Sequence, residues 1–135
     1  MDTLKTRFAY FLLGCIGLRT LLALWARRLG RGDPSGWLPV LGLAGIAVGC
    51  GFLLIWATGS RPTGAEVGGG RIWWDRLRPV HGGLWLLFGL WAAGALPKGR
   101  FPRSRAWLPL AADTALGLAA FLAHHHSAGS FAALA

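Results

Sequence analysis

Acidic residues are scarce in this sequence, with five Asp and Glu among 135 residues against 14 Lys and Arg. Charge of either sign makes up only 14% of the chain, where a globular domain carries about 25%. That shortage excludes a disordered, charge-solvated tail and argues against an ordinary soluble enzyme domain. Two cysteines cannot build a disulfide scaffold. Because both fall inside apolar runs, they are expected as free thiols that pack as small hydrophobes.

What the chain has instead is apolar surface, at 54% of residues, with 21 glycines and 8 tryptophans. The apolar residues fall into four runs, 8–26, 37–58, 79–96 and 107–124. A helix needs about 20 apolar residues to cross a hydrocarbon core of about 30 Å, and each run is close to that length. Backbone groups in lipid have no water to bond, so each run is expected to be helical. Polar breaks rich in Gly and Pro separate them. The expected fold is all-α: a polytopic membrane protein, one four-transmembrane-helix bundle with N- and C-termini on the same side. The first run is long, contains Arg19 and lacks a small-x-small cleavage pattern, so it is expected as a retained helix rather than a cleaved leader.

A net charge of +9 would suggest nucleic acid in a soluble protein. Here 13 of the 14 basic residues lie outside the apolar runs. Attraction to anionic lipid headgroups explains them without a soluble basic module, and no nucleic-acid partner is expected. The face holding both termini carries six basic residues and the other carries seven, so the positive-inside rule does not orient the chain. The tripeptide Trp-Leu-Pro opens both the second run, at Trp37, and the fourth, at Trp107, an offset of 70 residues. It marks either a pair of duplicated hairpins or interfacial tryptophans followed by a first-turn proline.

Charges inside the runs are the anomaly. Arg19 lies near the middle of the first run, where arginine costs about 2.5–3.5 kcal/mol to insert. Asp113, in the fourth run, comes to a similar depth from the same face and is the expected partner. Such a pair is either a site for ions, protons or an anionic ligand, or a neutralised contact that fixes helix register.

The break at 59–78 is basic and rich in Gly and Trp, and is expected at the interface. Its Arg71, Trp73, Trp74, Arg76 and Arg78 suit a lipid- or partner-binding platform. His81, His124 and His125, with Asp75, are expected at the face holding the termini. Imidazole and carboxylate there are candidate haem or metal ligands, although adjacent histidines on a helix point about 100° apart. No cofactor is required by this pattern. Small residues at Gly42, Gly45 and Gly49, at Gly89 and Ala93, and at Ala111, Ala115 and Ala119 are expected to let helices approach closely.

Three functions fit. The first is a non-enzymatic accessory or assembly subunit of a larger membrane complex, partnered by other subunits or by itself. The second is a homo-oligomeric transporter or channel for ions or small solutes, using Arg19 and Asp113. The third is a haem-, quinone- or metal-binding membrane protein. Small size, short connections and the lack of a catalytic constellation favour the first.

Overall fold

A helix satisfies every interior backbone group within its own segment, and the apolar runs take that form throughout. The computed structural model describes residues 3–134, and among these four helices carry an all-helical fold. Helix α1 is continuous over Thr3–Arg31, α2 spans Trp37–Thr58, α3 spans Arg78–Ala93 and α4 spans Leu108–Ser127. The helical stretches Thr3–Arg31, Trp37–Thr58 and Arg103–Ser127 are long and apolar enough to cross a membrane. With only 16 residues, α3 alone reaches about 24 Å.

The boundaries of α2 match the sequence expectation, while the others move. The first helix extends past 8–26 at both ends, because the polar Thr3–Arg7 and Arg27–Arg31 segments are good helix formers. The third begins at Arg78 and stops at Ala93 instead of 96, because Gly94 adopts a left-handed conformation (φ 82°) and caps it. The fourth runs on to Ser127 through the three histidines. Within α1, Tyr10–Gly17 is π-helical, a wider turn that re-phases the residues on either side.

Glycine sets the closest packing. Helix α2 lies on α3 along Gly42, Gly45 and Gly49, all buried. A Cβ on Gly42 would sit 2.6 Å from the Ala93 nitrogen, and one on Gly49 would sit 2.8 Å from the Gly82 oxygen. A Cβ on Gly89 would sit 2.7 Å from the Gly42 oxygen, so backbone approaches backbone at both ends of the contact, while at Gly45 the Phe88 ring fills the gap. The core cluster joins all four helices through Ala23, Ala26, Leu38, Trp85, Phe88 and Leu110. At the opposite end, Phe8 and Phe11 of α1 pack on Phe121 of α4, which brings the start of α1 against the end of α4.

The 59–78 connection is not a simple surface loop. Ile72 is 3% exposed and Arg78 only 1%, and short 3-10 turns at Ala65–Val67 and Asp75–Leu77 fold it back against the helices. The α1–α2 connection is closed by Asp33, whose carboxylate accepts from the Leu38 backbone N–H at 2.7 Å and from the Ser35 hydroxyl at 2.8 Å.

Two outcomes follow from this packing. Gly42→Leu should destabilise the protein by about 1–3 kcal/mol or prevent folding, since backbone cannot yield as a side chain can. Thermal melting in detergent, against Gly51→Leu on the open face of α2, measures it. The hydrogen bond from Leu38 holds the Asp33 carboxyl below its usual range. Its contribution is therefore complete above the ordinary carboxylate pKa of about 4 and is lost as pH falls through the lower folded value. Asp33→Asn should flatten the acid side of the stability–pH curve without moving the alkaline side.

Candidate functional site

A polar cluster forms where α1, α3 and α4 meet. Asp113 is fully buried, and its carboxylate receives three donors. Arg19 Nη1 and Trp85 Nε1 both donate to Oδ2 at 3.0 Å, and His81 Nδ1 contacts Oδ1. With a carboxylate against it, Nδ1 is the ring nitrogen that donates. Arg19 Nη1 also approaches His81 Nδ1 to 3.3 Å, so all three side chains share one space.

Local sequence explains the convergence. His81 and Trp85 are one turn apart on α3 and both face α4. On α4, Asp113, Gly117 and Phe121 form one buried stripe at four-residue spacing. Gly117 lines the cluster: a Cβ there would make ordinary contact, 3.6 Å from Arg19 Nη1 and 3.8 Å from His81 Cε1. The π-helical stretch ends one residue before Leu18, which fixes the phase at which Arg19 leaves α1.

The cluster is not sealed. Arg19 uses only Nη1 for hydrogen bonding, and its side chain is 17% exposed. It lines a small cavity of about 50 Å³ together with His81, Cys15 and Leu77. Phe11, Trp73 and Trp74 line this cavity and also a larger one of about 250 Å³ nearer the chain termini. The lining of the smaller cavity is mostly apolar, and Arg19 and the His81 ring are its polar members.

The structure joins Arg19 to Asp113 as the sequence suggests, but it separates the histidines. His81 turns inward to Asp113, while His124 stacks on Trp73 with ring centroids 4.3 Å apart and His125 packs on Phe8 at 4.5 Å. Asp75 joins neither group and instead pairs with Arg78 at 2.6 Å. Thus His81, His124, His125 and Asp75 do not form one ligand set. Among the described residues no three His, Cys, Asp or Glu side chains are grouped to hold a metal ion. Cys15 and Cys50 are free thiols.

The interfacial platform divides likewise. Arg78 is buried and lies over the Trp74 ring at 5.2 Å, so it is an internal strut. Trp73 and Trp74 are half-buried cavity walls, and Arg71 and Arg76 remain exposed. Sequence reasoning missed His81 and Trp85 as partners of Asp113. The residue pattern groups His81 with His124 and His125, whereas the fold turns it inward to the Asp113 carboxylate. The usable signal was the shortness of the third run.

Comparison with known proteins finds no matching family model, no matching curated protein and no matching solved structure.

Removing one member of this cluster should cost far more than removing the charge pair. Asp113→Leu leaves three buried donors without an acceptor and should lose about 3–5 kcal/mol. Adding Arg19→Leu to it should restore part of that loss. Denaturant unfolding of the four species in micelles gives the coupling, and strictly additive effects would show that the two residues act independently.

Proposed function

We propose that the chain is an integral membrane protein, a four-helix transmembrane bundle with both termini on one side of the bilayer. In this reading α3 crosses with the help of the turn before it. The continuous segment 75–93 has 19 residues and reaches about 30 Å. The chain acts as a non-enzymatic accessory or assembly subunit of a larger membrane complex.

The observation that carries this reading is the outer face of α2. Its inner glycines are used against α3, yet Ala44, Ala47 and Gly51 form a second line at helical spacing. Ala44 and Ala47 are exposed, and a Cβ on Gly51 would meet nothing. Exposed Val40 and Leu54 continue the same face. Small residues in line are what helices in lipid use to approach each other, and this line has no partner among the described residues.

A second reading, carriage of ions or small solutes by a homo-oligomer, is favoured by the cavity beside Arg19 and His81. Intramembrane ionisable groups that reach a cavity are functional-site candidates by default. Asp113 and His81 would then exchange a proton while Arg19 holds the counter-charge.

Native mass after gentle extraction from the protein's own membrane separates the two. Companion polypeptides are expected, and Ala47→Leu should release them while changing the stability of the isolated chain by no more than about 0.5 kcal/mol. A lone chain or homo-oligomer would overturn the subunit reading in favour of the second. The second then requires that Asp113→Asn abolish proton or ion flux in liposomes into which the variant still inserts as a folded chain. Undiminished flux in that variant would remove it.

A further inference from the structure

The larger cavity is assigned no role by the readings above. It opens where the start of α1, the end of α4 and the folded-back connection meet, and its volume is about 250 Å³. Its walls are of two kinds. Phe8, Phe11, Phe121 and Trp73 make an aromatic side, with Trp73 backed by the stacked His124 ring. Arg7, Arg71 and Glu66 make the polar side.

The charges there do not cancel. Glu66 is already taken by Arg61, at 3.2 Å, from outside the cavity. Arg7 and Arg71 are exposed, and neither makes an ion pair or a side-chain hydrogen bond among the described residues. The cavity therefore presents two uncommitted guanidinium groups beside an aromatic wall. The connection also makes room for one of them. Gly68 is left-handed (φ 66°), a conformation that favours glycine, and the Arg7 guanidinium lies against it, where a Cβ would sit 2.1 Å from Nη2.

We infer that this cleft binds the phosphate headgroup of an anionic phospholipid, with its acyl chain against the half-buried Phe11 and Trp73. Guanidinium forks match phosphate oxygens two at a time, which lysine or a diffuse positive surface does not reproduce. The aromatic wall supplies the apolar half that a free inorganic anion would leave unused. The inference shares with the proposed function only the placement of the chain in a bilayer. The headgroup contacts are Arg7 and Arg71, rather than the Arg76 and Arg78 that the sequence pattern also offers.

The test uses the full chain purified in neutral detergent. Alkaline extraction of membranes comes first. Loss of the chain into the soluble fraction would defeat the bilayer placement itself, separately from any lipid result. Native mass spectrometry and thermal melting are then followed with dioleoylphosphatidylglycerol, with dioleoylphosphatidylcholine and with inorganic phosphate. The anionic lipid should remain bound and raise the melting temperature, and the other two should not.

Arg7→Gln with Arg71→Gln should weaken that lipid about 30-fold, each basic residue being worth about fivefold at a lipid surface. Arg28→Gln with Arg31→Gln, at the other end of the bundle, should leave it unchanged. Arg7→Lys with Arg71→Lys keeps the charge and should weaken it by an intermediate amount, and it carries the test if the glutamine pair fails to fold. Equal stabilisation by phosphatidylcholine would reduce the cleft to an apolar slot. Equal stabilisation by inorganic phosphate would make it a free-anion site. Equal loss in the Arg28 and Arg31 variant would mean diffuse surface charge. Any of the three overturns the proposal.

Discussion

A single carboxylate with no access to solvent organises the centre of this molecule. Asp113 is costly to bury alone and becomes tolerable only when its lone pairs are filled. The three donors come from two other helices, Arg19 from α1 and His81 and Trp85 from α3. Satisfying one buried charge therefore fixes the mutual rotation of three helices. Apolar packing is weakly directional. A saturated polar knot supplies the direction that oily contacts lack.

The remaining helix is held by a different device. Between α2 and α3 the backbones approach closely at Gly42, Gly49, Gly82 and Gly89, and the Phe88, Leu86, Leu53 and Ile46 side chains fill the space the glycines leave. Close approach maximises dispersion and admits weak Cα–H contacts to carbonyls. The bundle is thus a polar joint on one side and a glycine seam on the other. Both rely on residues that a hydropathy profile scores poorly.

Helix existence was legible because long apolar runs and Gly-Pro breaks are strong local signals, and α2 fits its run to the residue. The Arg19–Asp113 pair was legible because two opposite charges at equal depth have few other places to go. His81 was not, and the reason is tertiary: the 59–78 connection spends Ile72, Trp73, Trp74 and Arg78 inside the fold rather than on a surface. No residue pattern announces that a basic, aromatic connection will turn inward. The partition of its arginines into the strut Arg78 and the exposed Arg71 was hidden for the same reason, since both read as interfacial anchors.

The π-helical stretch Tyr10–Gly17 has a mechanical consequence for α1. An α-helix transmits rotation rigidly, at about 100° per residue, so a residue's azimuth at one end dictates every azimuth at the other. A run of wider turns breaks that gearing. The half of α1 that carries Arg19 is phased by Asp113, while the half that carries Phe8 and Phe11 is phased by Phe121 and the cleft. Deleting one residue from the stretch, so that ordinary α turns resume, would force one helix to serve a single phase and set those two obligations against each other. The wide turns act as a clutch between the charged centre and the aromatic mouth.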